Sequence, residues 1–181
     1  MEENDLEKLK YPIGKFTVPS PITSSLLTEW IKILEDFPPQ LTKLVSKLND
    51  QQLDTPYRPG GWTVRQVVHH LADSHLNSYL RFKWALTESK PVIKMYYEDR
   101  WAELHDGRTA PILLSLYLLT SLHAKWVFLL KTLSPNEFQH TFINPESNRE
   151  ISLAEATGIY AWHCVHHFAH INNLRKQLNW K

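Results

Sequence analysis

Hydrophobic residues recur at helical spacing along most of the chain, and the strict alternation that is typical of strands is scarce. This pattern predicts four long helices, over residues 24–49, 63–88, 110–132 and 152–178. The first of them contains Pro38 and Pro39. These prolines predict a kink or a break, because proline has no backbone N–H to donate within a helix.

Two shorter segments lie between the long helices. Residues 97–104, "YEDRWAEL", predict a short extra helix, and residues 140–153 predict either a small hairpin or an irregular loop. The fold class expected from these elements is therefore all-α, a four-helix bundle with short extra helices.

The starts of the second and fourth helices carry the pattern of a capping box. Thr63 is followed three residues later by Gln66, and Ser152 by Glu155. In such a box the hydroxyl and the later side chain each satisfy a backbone N–H of the first turn. These two helices also contain the histidine clusters described below.

A weak internal repeat favours a bundle made of two helical hairpins. Each half would hold a long helix, a short turn of helix, a loop and a capped helix. Three apolar residues of the first half recur in the second at a constant offset of 85, namely Leu48, Leu53 and Tyr57 as Leu133, Phe138 and Phe142. Chance similarity between two helix-to-loop junctions is the alternative explanation.

Composition limits the class of protein. With 181 residues, the segment 1–181 is expected to be a single domain. The net charge of +1, from 20 basic and 19 acidic residues, gives no electrostatic reason to expect nucleic acid or an anionic membrane as a partner. The one cysteine, Cys164, excludes an intrachain disulfide and fits a reducing cytoplasm. The acidic, polar start is unlike a signal peptide.

The most apolar run, residues 111–133, is about long enough to cross a bilayer. It contains His123 and Lys125, and no second run of this kind exists in the sequence. A buried helix of the bundle is the interpretation that we favour.

The stretch "WHCVHHFAH" places four histidines on the fourth helix, at His163, His166, His167 and His170. A helix turns by about 100° per residue, so all four fall on one stripe, on the side of the apolar residues. Two pairs have the spacing that lets histidines share one metal ion, His163/His167 and His166/His170. Burial and mutual repulsion both disfavour imidazolium here, whereas neutral imidazoles around a cation avoid both costs.

The second helix offers "VVHHLADSH", with His69, His70, Asp73 and His75. The apolar stripe of this helix is centred close to His75, and His70 lies on a more polar side. Periodicity therefore favours His75 as the inward residue, although a polar face could line an internal cleft. The spacing alone leaves the choice between His70 and His75 open.

Other chemistries fit less well. The sequence has no HExxH zinc-protease motif, no Glu-x-x-His repeats of a di-iron bundle, no glycine-rich phosphate loop and no G-x-S-x-G elbow. Cys164 lies about 100° around the helix from His163, which argues against a Cys–His nucleophile.

The segments "LDTPYRPGGWTVRQVVHHLADSHLNSY" and "YAWHCVHHFAHI" resemble the YfiT-like branch of the DinB/YfiT superfamily of bacterial metal-binding four-helix bundles. The resemblance extends from Tyr11 to the C-terminus. It implies one divalent metal ion per chain, zinc or nickel, with His70, His166 and His170 as ligands. His163 and His167 then become neighbours of the ligands. It also implies a cytoplasmic homodimer.

The function that the resemblance implies is a metal-dependent hydrolase of a small-molecule substrate, in which three histidines leave an open position for water. His167, His163 or Asp73 would serve as the base. The first alternative is a thiol S-transferase that uses bacillithiol or a similar low-molecular-weight thiol, with Arg65, Arg81 and Lys83 as candidates for holding its acid groups. The second is a non-enzymatic binding module braced by the metal.

Aromatic side chains could line the cleft of such a site. The candidates are Trp62, Trp84, Trp101 and Trp162, although tryptophans are more often part of a core than of a pocket.

Overall fold

Residues 3–180 are described by the structure, which is a computed structural model. Within them the chain forms eight α-helices, one 3₁₀ turn at Glu137–Gln139, and one antiparallel pair of strands. The helices are α1 Glu3–Lys10, α2 Ser24–Val45, α3 Asp50–Leu53, α4 Val64–Thr87, α5 Glu98–Ala102, α6 His105–Thr109, α7 Leu113–Thr132 and α8 Leu153–Gln177; the strands are β1 Thr141–Asn144 and β2 Arg149–Ser152.

The four long helices α2, α4, α7 and α8 form the predicted four-helix bundle. Helix α2 packs against α7 and α8, and α4 packs against the same two helices. Helices that follow each other within one half of the chain, α2 and α4 or α7 and α8, therefore lie diagonally opposite. The bundle is confirmed, but the expected arrangement as two hairpins of side-by-side helices is replaced by this crossed connectivity.

Helix α2 continues through Pro38 and Pro39, so the break, one of the two predicted alternatives, does not occur. It ends at Val45, and the residues expected to extend it to Asn49 instead form a turn and the cap of the separate helix α3. Apolar side chains of α2 hold it in place, since Leu34, Phe37 and Leu41 are almost fully buried. Tertiary packing thus outweighs the local cost of the prolines.

Both predicted caps form, but only one is a complete capping box. Thr63 Oγ1 accepts from the Gln66 N–H, and the Gln66 side chain accepts from the Thr63 N–H. At α8 the Ser152 hydroxyl caps the helix, while the Glu155 carboxylate binds Arg149 instead, with 2.8 Å between Nη2 and Oε1. The second box is therefore only half formed.

The segment before each capped helix shows the same arrangement in both halves of the chain. Before α8 it is a small hairpin, one of the two predicted alternatives, in which Thr141 pairs with Ser152. Before α4, a single antiparallel bridge joins Pro56 to Thr63. The apolar residues that carry the repeat in sequence pack into the core in both halves. These matching features give the sequence repeat a structural counterpart.

Helix α7 is long and apolar enough to cross a membrane, judged by length and composition alone. In the structure it packs against α2 and α4, and Leu119, Trp126 and Leu130 are buried in the core. Its opposite side leaves Tyr117 and Phe128 exposed. The structure therefore agrees with the interpretation of this run as a helix of the bundle.

Candidate metal centre

The two histidine clusters meet where α4 packs against α8. The ring atoms His70 Nε2 and His163 Nε2 lie 3.2 Å apart. One donor atom each of His70, His163 and His167 lie within 4.8 Å of one another, and so do donor atoms of His166, His167 and His170. His167 belongs to both groups. Only the first group joins two helices, because the second lies entirely on α8.

The ligand set implied by the family resemblance is divided between these groups. His70 belongs to the first, whereas His166 and His170 belong to the second. Both groups use an H-x3-H pair of α8, so the spacing was informative. The sequence could not distinguish the pair that faces His70, which is His163 and His167.

The electrostatics of the cluster favour neutral imidazole rings. Burial lowers the pKa of His70 to about 3 and, together with the neighbouring His70, His166 and His170 rings, lowers the pKa of His163 well below its usual value. Burial and four neighbouring histidines likewise lower the pKa of His167. Burial is also the main reason why the pKa of His166 falls to about 4. Near neutral pH these rings offer lone pairs, which is the form that binds a metal ion.

Several of the rings are held by hydrogen bonds to one another or to groups outside the cluster. His163 Nδ1 lies 3.0 Å from His75 Nε2. His170 Nδ1 lies 3.3 Å from His167 Nδ1, and His170 Nε2 lies 3.0 Å from the Lys10 carbonyl oxygen. Such contacts fix the orientation of each ring and the position of its proton.

A cleft of about 480 Å³ opens beside the cluster. Its wall includes His70, His163, His166 and His167 but not His170. The Trp62 ring packs on His70 with 4.6 Å between ring centroids. Three basic side chains also line the cleft, Lys10, Arg58 and Arg81, together with the acidic Glu98 and Glu146.

Other residues predicted for the site lie elsewhere. Asp73 does not line the cleft; burial, with Asp106 nearby, raises its pKa to about 6. Arg65 binds Asp50 and Asp54 at 2.8 and 2.6 Å and so ties α4 to α3 and the following turn. Lys83 is exposed and outside the cleft. Of the proposed basic residues, only Arg81 contributes to the cleft.

The four tryptophans named from the sequence also have different surroundings. Trp62 lines the cleft, Trp162 stacks on His166 at 4.4 Å between centroids, Trp84 packs against the core, and Trp101 meets the edge of Tyr96 while remaining partly exposed. Cys164 is fully buried, and burial raises the pKa of its thiol. A thiolate nucleophile at Cys164 is therefore disfavoured, as the sequence indicated.

The donor type of His70, His163 and His167, and the spacing between the His70 and His163 ring nitrogens, are compatible with a divalent ion of the zinc type. Two nitrogens bound to one tetrahedral ion at 2.0–2.1 Å are separated by about 3.3 Å, close to the 3.2 Å between His70 Nε2 and His163 Nε2. All three residues line the cleft. Among the described residues neither group includes a carboxylate or cysteine, so every candidate donor atom in both groups is an imidazole nitrogen.

Comparison with known proteins gives consistent matches. The model of the DinB superfamily matches residues 33–171. A Bacillus cereus protein named "Putative metal-dependent hydrolase" is 55% identical over 175 residues, which cover 97% of this chain and 100% of that protein. A Bacillus thuringiensis subsp. konkukian protein with the same descriptive name matches with the same identity and coverage.

A solved structure shares the fold. It is YfiT from Bacillus subtilis, described as "a probable metal-dependent hydrolase with an unusual four-helix bundle topology". It superposes with a TM-score of 0.94 at 48% identity, over 96% of this chain and 99% of that chain. The crossed connectivity of the long helices described above is in keeping with that topology.

Proposed function

Because the chain belongs to the DinB superfamily, we propose that it is a metal-dependent hydrolase whose single divalent ion is held by His70, His163 and His167. The observation that carries the proposal is the convergence of these three neutral imidazoles, from two helices, on one wall of the cleft. Their nitrogens suit zinc and nickel equally, and we propose one of these two metals.

Two features favour this trio over the group of His166, His167 and His170. First, His170 does not line the cleft, so an ion in that group would have less access to a substrate. Second, the first group joins α4 to α8, as expected of an ion bound in the core of a bundle. His166 and His170 are then neighbours of the ligands, in place of the roles that the family resemblance implied for them.

A divalent ion bound there would polarise a substrate oxygen and lower the pKa of a water molecule in its open position. The protein residues around it have separate tasks. Tyr96 lies with its hydroxyl 3.5 Å from His70 Nδ1, and burial raises the pKa of this phenol so that it keeps its proton. The Trp62 ring packs against His70, tilted by 48° with 4.6 Å between the ring centroids.

Among the described residues, His166 is the one histidine that lines the cleft without belonging to the proposed trio. Its Nδ1 atom is buried and has no hydrogen-bonding partner in the described part of the chain. We propose that the other nitrogen of this ring, Nε2, accepts a hydrogen bond from a reacting water or substrate hydroxyl. With His163 and His167 as ligands and Asp73 outside the cleft, His166 is the histidine left to orient the nucleophile.

The ligand assignment is tested by metal analysis of purified variants. We expect His70→Ala, His163→Ala and His167→Ala each to lose stoichiometric metal and hydrolysis of generic ester and amide substrates. His166→Ala is the matched control from the same helix, and it should retain the metal while losing activity. Full metal content in His163→Ala, with loss in His166→Ala and His170→Ala, would support the other H-x3-H pair.

A thiol S-transferase is the second candidate, and the basic residues of the cleft favour it. Lys10, Arg58 and Arg81 could bind the acid groups of a cofactor such as bacillithiol. The same trio would then hold a metal that lowers the pKa of the thiol. Consumption of bacillithiol in the presence of an epoxide, without ester or amide hydrolysis, would identify this function. Hydrolysis without thiol would exclude it.

A purely structural ion is disfavoured by the number of ligands. Structural zinc normally has four protein ligands, whereas the proposed trio has three. If removal of the metal lowers the stability of the protein but changes no activity, the result would support the third function, a binding module braced by the metal.

A further inference from the structure

A row of hydrogen-bonded imidazoles runs from His163 through the core to the backbone of α2. His163 Nδ1 lies 3.0 Å from His75 Nε2, and His75 Nδ1 lies 2.7 Å from His123 Nε2. His123 Nδ1 then lies 2.6 Å from the Leu34 carbonyl oxygen. His75 and His123 are 0% and 1% exposed, and neither borders the cleft. The row uses one residue from each of the four long helices.

The Leu34 carbonyl is available because of Pro38. In an α-helix a carbonyl accepts from the N–H four residues later. The residue four positions after Leu34 is Pro38, which lies inside α2 and has no N–H. The carbonyl is thus left without its usual helical partner in a buried part of the bundle, and His123 supplies the missing donor.

The carbonyl determines where each ring in the row carries its proton. A carbonyl oxygen can only accept, so His123 Nδ1 must donate the hydrogen. A neutral His123 then has a lone pair on Nε2, which accepts from His75 Nδ1. By the same step His75 Nε2 accepts from His163 Nδ1. The Nε2 atom of His163 is left with its lone pair, directed at His70 Nε2.

We propose that Leu34, His123 and His75 form a positioning relay that holds His163 as the tautomer able to bind the metal through Nε2. This inference rests on the proposed function, because it takes His163 as a ligand. His75 and His123 are positioning residues in it, since they act on the site only through His163. The Phe37 ring lies over both, at 6.0 and 5.8 Å between centroids, and helps to hold them in place.

A shorter row of the same kind ends at His167. The Lys10 carbonyl oxygen lies 3.0 Å from His170 Nε2, which must therefore donate. The lone pair on His170 Nδ1 then accepts from His167 Nδ1, at 3.3 Å. His167 is left with its lone pair on Nε2. Both ligands from α8 are thus anchored to a backbone carbonyl through other histidines, and both keep the same nitrogen free.

The relay is tested by two substitutions of His123, far from the ion. In His123→Gln the amide can still donate to Leu34 and accept from His75, whereas His123→Phe fills the space and can do neither. The zinc dissociation constant, measured by competition with a coloured chelator, should rise on the order of 10-fold in His123→Phe. In His123→Gln it should stay close to wild type. Unchanged affinity in a folded His123→Phe, or equal weakening in both variants, would overturn the relay.

A second measurement uses the metal-free wild-type protein, so its result does not depend on whether any variant folds. Long-range proton–nitrogen NMR spectra of the metal-free wild-type protein report the tautomer of each histidine. The relay requires the hydrogen on Nδ1 of both His75 and His123, and a hydrogen on Nε2 of either ring refutes it. Loss of metal in His163→Ala combined with wild-type affinity in His123→Phe would reject the relay alone. Retention of metal in His163→Ala would reject the ligand assignment.

Discussion

At the scale of single residues, the helical pattern predicted which residues face inward but not which histidines border the cleft. Periodicity predicted His75 as the inward histidine of α4, and His75 is completely buried. His70, which the family resemblance implied as a ligand and which belongs to the proposed trio, borders the cleft. The cleft wall also includes Trp62, Tyr96 and residues of α8. A pattern within one helix contains no information about such distant neighbours.

The sequence of α8 also could not predict which of its four histidines would bind a metal ion, because their partners lie on other elements. The helical stripe correctly predicted that they lie together. Which of them bind a metal depends on what contacts each ring nitrogen, such as His75 beside His163 and the Lys10 carbonyl beside His170. Those partners come from other elements. Nothing in the spacing of α8 predicts them, and no signal in the sequence connected His123 with His75 and the cluster.

Because burial lowers the pKa values of histidines in the folded state, we expect the metal-free protein to lose stability in acid. Burial lowers the pKa of His123 to about 4. Between about pH 6.5 and about pH 4 this histidine is therefore protonated in the unfolded chain while it stays neutral in the folded chain. The stabilising contribution is complete above the unfolded pKa and is lost as the pH falls towards the folded one. Urea unfolding at a series of pH values should show this decrease.

The control for the acid effect is His123→Gln, which keeps the hydrogen bonds but cannot titrate. Its unfolding free energy should fall less steeply between about pH 6.5 and 4, because the glutamine takes up no proton in either state. Each tenfold difference in proton affinity between the folded and unfolded chains corresponds to about 1.4 kcal/mol. An identical pH slope in wild type and variant would show that His123 does not contribute.

At the scale of helices and strands, the sequence predicted the elements that have strong local signals. The four long helices, the two caps and the hairpin were found within a few residues of their predicted positions. The course of α2 through Pro38 and Pro39 was not predicted, because its stability comes from packing against α7 and α8. Pro38 leaves the Leu34 carbonyl without its helical donor, so a residue that suggested a break has a structural use.

Close packing of α2 on α8 depends on Gly158. A Cβ atom at this position would lie 2.7 Å from Cη2 of the buried Trp30 ring. We expect Gly158→Ala to lower the free energy of unfolding by about 1–3 kcal/mol, as overpacking does, although alanine favours helices by about 1 kcal/mol over glycine. Urea denaturation measures the change. Adding Trp30→Phe should restore part of the loss, and a variant as stable as wild type would contradict the predicted clash.

At the scale of the whole molecule, the crossed connectivity brings all four long helices to one centre. Helices α4 and α8 supply the proposed ligands, while α7 and α2 supply His123 and the Leu34 carbonyl behind them. An ion held in this way would link residues that are about 90 positions apart in sequence, as His70 and His163 are. Binding to the folded state alone would stabilise the entire bundle.

The expected homodimer and the cytoplasmic location stay predictions. A feature relevant to the first is the row of exposed apolar side chains on α7, which includes Leu114, Tyr117 and Phe128. Exposed apolar side chains are often found where proteins associate.

The most direct test of the central claim is anomalous X-ray diffraction from crystals of the zinc-loaded or nickel-loaded protein, recorded at the absorption edge of the metal. We expect one strong peak per chain, at about 2.0–2.1 Å from a ring nitrogen of each of His70, His163 and His167. A peak held by His166 and His170 instead would contradict the assignment and would support the ligands implied by the family resemblance.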